Sequence, residues 1–149
     1  MLASKTLYET DFHLWLEETA QALRDGNLER LDRENLLEEI EAMGRSDRRA
    51  IRRNLEQLLM HLLKWHYQPD KLTNSWKYSI REHRKRLLED FEESPSLKRY
   101  YEEVFPQCYQ NAREMASDET GLKLSIFPLL CPFNQTEILD IRNLPDQTY

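Results

Sequence analysis

The chain has 149 residues, 40% of them hydrophobic and 32% charged, with 3 Gly, 6 Pro and 2 Cys. A chain of that length buries a core without disulfides or a structural metal, and its composition excludes collagen-like, disordered and disulfide-scaffold classes. The net charge of −6 exerts no global pull toward nucleic acid or anionic lipid, and no apolar run approaches the ~18 residues of a membrane span.

Tyr8, Phe12, Trp15, Leu16, Thr19 and Leu23 recur at steps of three and four, the period of one helix face. A first helix is expected over about 11–24, capped by Thr10 or Asp11 and closed by Gly26, which suits a left-handed residue. Asp32 is the next N-cap, with acidic residues in the first turn where the helix dipole favours them. Leu36, Ile40 and Met43 start an apolar stripe that resumes in phase as Ile51, Leu55, Leu58, Leu62 and Trp65. Gly44 interrupts it at a cost of ~1 kcal/mol relative to Ala. One helix over about 33–65 is therefore expected, either bending at Gly44 or projecting an end for a partner.

Pro69 ends that helix. Trp76, Ile80, His83, Leu87 and Phe91 mark a third over about 75–92. Leu97, Tyr101, Val104, Cys108, Ala112 and Met115 mark a fourth, which Pro106 should kink or divide and Gly121 should close. Phe127-Pro128 and Cys131-Pro132-Phe133 forbid a regular helix and read as an apolar cover laid over the bundle. Asn134 opens a last short helix to about residue 142. The expected fold is all-α: a single domain over 1–149, core about 8–142, built as an up-and-down bundle of four to five helices with an irregular C-terminal tail packed on it.

Three groups of phrases now belong together. They are Tyr8-Glu9-Thr10-Asp11-Phe12 with Trp15-Leu16; Glu38-Glu39-Ile40-Glu41-Ala42-Met43-Gly44; and His61-Leu62-Leu63-Lys64-Trp65-His66-Tyr67-Gln68-Pro69 followed by Ser75-Trp76 and Ile80. Arg113, Glu119-Thr120, Phe127-Pro128 and Cys131-Pro132 complete the set. Over about residues 8–140 the chain resembles the bacterial, mainly cyanobacterial, family known as domain of unknown function number twenty-nine. The resemblance implies an all-helical bundle, and it implies no reaction, cofactor or catalytic residue to carry over.

The residues themselves offer three kinds of site. His61 and His66 lie five apart, about 140° round a helix, and share no face. His83 sits on the stripe of the third helix, where it can approach His61 between packed helices. A metal needs at least three convergent ligands; His61, His83 and Glu41 (or Glu38) are the candidates, and no metal is expected. Glu41 and Arg45 have the spacing of an ordinary surface pair. The sharper feature is charge in blocks. Asp32, Glu34, Glu38, Glu39 and Glu41 precede Arg45, Arg48, Arg49, Arg52 and Arg53, while Arg81, Arg84 and Lys85 add a basic patch on the next helix.

Such basic faces neutralise phosphates, but no short turn with a recognition helix accompanies them. An acidic block followed by a basic block on one helix is self-complementary when two copies pair antiparallel, as a two-fold dimer requires. No GxSxG, P-loop or Rossmann glycine pattern occurs, so no cofactor is expected. Cys108 falls on a helix stripe and is expected to be inert, whereas an irregular loop could expose Cys131. Trp65 and Trp76, flanking the 66–75 loop, read as core. Two cysteines without CxxC spacing, and residues 1–6 without a secretory pattern, point to the cytoplasm. The leading expectation is a non-enzymatic interaction module, a homodimer or the binder of another protein. A nucleic-acid-associated factor is the alternative, a metal-dependent hydrolase the third, and no membrane is involved.

Overall fold

In the computed structural model, residues 7–68, 70 and 73–142 are described. The chain is all-α, with a short C-terminal tail. Its long helices are α1 (Phe12–Arg24), α2 (Arg33–Tyr67), α3 (Asn74–Glu93) and α4 (Leu97–Thr120), and a four-residue α5 (Gln135–Ile138) lies in the tail. The Pro69 stop signal lies outside the described residues. Packing divides the chain into two compact units, Met1–Asp47 and Arg48–Tyr149.

In the first unit, Asp11 caps α1 by accepting from the Leu14 amide. Gly26 takes φ +69° just past the helix end, a conformation that costs glycine nothing. The buried line of α1 is Trp15, Thr19 and Ala22. Tyr8 packs edge-on against Trp15 with ring centroids 4.8 Å apart, and Phe12 stacks on the same indole at 5.7 Å. Phe12, Leu16 and Leu23, placed on the core face by periodicity, are instead exposed. Asp32 caps α2 as expected, accepting from Asn35 through both backbone and side chain.

Helix α2 runs unbroken through Gly44. Its part in the second unit buries Ile51, Leu55, Leu58, Leu59, Met60, Leu62 and Leu63. Residues 58–63 point round most of the helix circumference, the mark of a helix packed on several sides. Helix α3, capped by Thr73 Oγ1 on the Trp76 amide, lays Ile80 and Leu87 into this core, and α4 adds Tyr101, Phe105, Cys108, Tyr109, Ala112 and Ala116.

Pro106 does not divide α4, which is one helix from Leu97 to Thr120. Proline removes one amide and crowds the carbonyl four residues back. Here Pro106 and Glu102 are both exposed, so water can solvate that carbonyl, and the buried face carries the helix across. Gly121 ends it at φ +73°.

The tail does cover the core. Phe127 and Ile138 are buried and Cys131 and Phe133 partly so. Tyr67 meets Phe127 edge-on at 5.6 Å, and the Tyr109 hydroxyl donates to the Pro128 carbonyl at 2.5 Å. The last helix is shorter than capping suggested: Asn134 accepts from the Thr136 amide, but α5 stops at Ile138.

Candidate functional site

The charged blocks sit along α2. Glu38, Glu41, Arg45, Arg48, Arg49, Arg52 and Arg53 are all exposed. The local ion pair differs from the expected one: Arg45 reaches Glu38 at 2.7 Å, two turns back, rather than Glu41. Glu39 is half-buried and accepts from the Tyr8 hydroxyl; that bond lifts the Tyr8 pKa to about 12. Arg52 donates to the Tyr100 hydroxyl at 2.9 Å.

Ile40 and Met43 were expected to open the core stripe. They are instead exposed, at 57% and 66%, and Leu37 beside them is 57% exposed. Leu28, Leu31, Leu36, Leu37 and Ile40 line an open groove of about 1140 Å³ whose charged edge is Glu29, Arg33 and Glu34. Single exposed apolar residues are ordinary on a protein surface, but a contiguous group rimmed by charge marks a contact site.

The histidines meet as the spacing predicted. His61 and His83 stack with ring centroids 6.2 Å apart and planes 16° from parallel. The Asn54 side-chain amide oxygen lies 3.0 Å from His83 Nδ1, so the two groups share a hydrogen bond. His61 Nδ1 is buried without a hydrogen-bond partner among the described residues. Burial, then Lys64 and His83, push the His61 pKa down to about 4, and burial also lowers that of His83.

Lys64, itself buried, completes the cluster with its ammonium 3.6 Å from Glu119 and 4.4 Å from the centre of the Trp76 ring. Among the described residues, no group of three or more His, Cys, Asp or Glu is placed to hold a metal. His13 faces Glu17 at 3.1 Å. The cluster is a set of neutral imidazoles beside one compensated cation, with no nucleophile in it.

Of the basic residues on α3, Arg81 and Lys85 are exposed, but Arg84 is not the surface cation its sequence block suggested. It is 2% exposed. Its Nε donates to the Ile138 carbonyl at 2.5 Å and Nη2 to that of Glu137 at 3.4 Å, so it is spent on the tail. Sequence reasoning also missed the burial of Lys64 and Arg113. The only local hint for Lys64 is a lone cation inside the run Leu62-Leu63-Lys64-Trp65.

Both cysteines are free thiols. Burial raises the Cys108 pKa to about 12 and that of Cys131 to about 11. Cys131 is partly buried rather than presented by its loop, and its Sγ faces the Phe133 carbonyl at 3.6 Å. The thiolate is the reactive form. Neither residue should therefore react with a disulfide reagent at neutral pH in the native protein, and both should react after unfolding. Stoichiometric labelling of the folded chain would contradict this burial.

Among the described residues no helix is long and apolar enough to cross a membrane. The family described as a domain of unknown function, DUF29, matches residues 7–144. A search of curated proteins and of solved structures finds no match.

Proposed function

The chain belongs to the DUF29 family, a domain of unknown function, and from that premise we propose that it is a non-enzymatic cytoplasmic interaction module that pairs with a second copy of itself through α2. The observation that carries this is the exposed apolar group Leu37, Ile40 and Met43 at the point where the helix changes from acidic to basic. Antiparallel pairing about Met43 sets Met43 of the two copies together and lays Ile40 and Leu37 along the partner helix. It also sets Glu38 and Glu41 of each copy against the other's Arg45–Arg53 block. A parallel pairing would place acid on acid and base on base, so charge selects the orientation.

Apolar burial supplies the attraction, at about 1 kcal/mol for each half-exposed side chain covered. Exposed ion pairs add ~0.2–1 kcal/mol each. Two free thiols, Cys108 and Cys131, are in keeping with a reducing compartment.

The test is a charge swap read by sedimentation equilibrium. Arg48→Glu with Arg49→Glu reverses the charge in the middle of the basic block, and Glu38→Arg with Glu41→Arg reverses it in the acidic block. Each double variant alone should dimerise at least tenfold more weakly than the unaltered chain. Mixed in equal amounts, the two should form a heterodimer, which no loss of folding could mimic. A monomeric unaltered chain, or variants that dimerise as well as it does, would reject the reading. Binding to duplex or single-stranded nucleic acid that falls steeply with salt would instead favour the basic faces as a phosphate-contacting surface, now without Arg84.

A further inference from the structure

The burial of Arg84 raises a second question, because among the described residues Asp140 acts on its charge only through space. Among the described residues no carboxylate hydrogen-bonds its guanidinium; its partners are the neutral carbonyls of Glu137 and Ile138. These lie in the last turn of the four-residue α5, where helix carbonyls are open to side-chain donors. Asp140 is the acid whose field reaches Arg84, and its Oδ1 already accepts from the Arg142 amide at 2.9 Å. Removing a cation from water costs several kcal/mol unless a full counter-charge joins it.

Arg84 lines a cavity of about 670 Å³ between α3 and the tail, within the usual size of a small-molecule site. Lys77, Arg81 and Lys85 succeed one another at i, i+4 and i+8 along its α3 side, and Arg142 stands on the tail side. Leu88 and Ile141, both exposed, provide apolar wall. The cavity's acids, Glu89 and Glu92, follow at the C-terminal end of α3, Glu89 one turn, about 6 Å, beyond Lys85 and two turns beyond Arg81.

We propose that this cavity binds a small organic anion, a phosphate or carboxylate headgroup on a short apolar body. The headgroup sits among Lys77, Arg81, Lys85 and Arg142 and adds negative charge beside Arg84, which among the described residues has no carboxylate hydrogen-bonded to it. The body lies against Leu88 and Ile141. Guanidinium groups suit this role because their fork of donors matches two oxygens of either headgroup. None of the residues lining it belongs to α2, and the site does not depend on self-pairing.

The experiment is calorimetric titration of the full chain with phenyl phosphate and with benzoate, taking benzyl alcohol and inorganic phosphate as controls. One anion should bind per chain, and the tighter of the two probes identifies the headgroup. Arg81→Ala and Arg142→Ala should each weaken binding at least tenfold. Both side chains are exposed, so the variants should keep the native circular dichroism and urea midpoint. No binding of either anion to folded protein at millimolar concentration would overturn the proposal. So would equal binding by the variants, equal binding of benzyl alcohol, or inorganic phosphate binding as tightly as phenyl phosphate.

Discussion

Arg113→Ala should lower the unfolding free energy by about 3 kcal/mol, through the loss of buried hydrogen bonds that hold the tail. Arg113 is buried on α4. Its Nε and Nη2 donate to the Phe127 carbonyl at 3.2 and 3.0 Å, and Nη2 also reaches the Leu124 carbonyl at 3.4 Å. Nη1 donates to Gln110 Oε1 at 2.8 Å, whose own amide holds the Leu129 carbonyl at 2.8 Å. One guanidinium therefore satisfies the backbone on the approach to Phe127, and without it a buried carbonyl is left unpaired.

Arg113→Lys should recover only part of the loss, because an ammonium cannot reproduce the fork. Phe127→Ala empties a buried aromatic site and should cost about 3–5 kcal/mol. Both changes release the same segment, so the double variant should lose clearly less than the sum of the two. Urea unfolding of the three variants measures this. Additive losses would show that Arg113 does not act through the tail.

The same residue shows where sequence reading stops. Helix limits were legible because their causes are local: Asp11, Asp32 and Asn134 are caps that accept from the amides just beyond them, and Gly26 and Gly121 take the left-handed conformation. The continuity of α2 through Gly44 followed from a stripe that stays in phase. Ile40 and Met43 belong to that stripe, yet they are exposed. Periodicity reports which face is apolar, not what covers it.

Arg81, Arg84 and Lys85 look alike along the sequence. Only the arrival of carbonyls 53 and 54 residues later makes Arg84 a buried tether while the other two stay in water. The approach of His83 to His61 was legible because His83 lies on the stripe of the third helix and His61 next to that of the second. Whether Glu41 or Glu38 converges on them was not, since convergence depends on how helices pack. Of the two outcomes open at Pro106, division did not occur, its local cost outweighed by the seven residues that α4 buries.

Acid should weaken the fold through His61 before most carboxylates titrate. The His61 pKa is about 4 in the folded chain against an ordinary 6.5, so between those values the unfolded state binds more protons. Stability then rises with pH. The His61 contribution is complete above about pH 6.5, declines as pH falls toward 4, and is flat below. A displacement of that size corresponds to about 3 kcal/mol for a fully desolvated group, and the ring's partial access to water reduces this to about 2. Burial is the first cause, Lys64 and His83 reinforce it, and Glu119 opposes it without prevailing. His83, also lowered by burial and by Arg86, adds to the same slope.

His61→Leu should hold or raise stability at pH 7, because it removes a buried nitrogen that has no hydrogen-bond partner among the described residues and keeps an apolar group of similar size. It should also flatten the decline between pH 6.5 and 4.5. His61→Gln keeps polarity without the titration and should flatten it equally, at some cost in stability at every pH. Urea midpoints measured across that range decide the matter. A variant slope equal to that of the unaltered chain would place the acid sensitivity elsewhere. A flattened slope would mean that the polar cluster between α2 and α3 stays neutral because the apolar helices around it leave a second cation beside Lys64 no water.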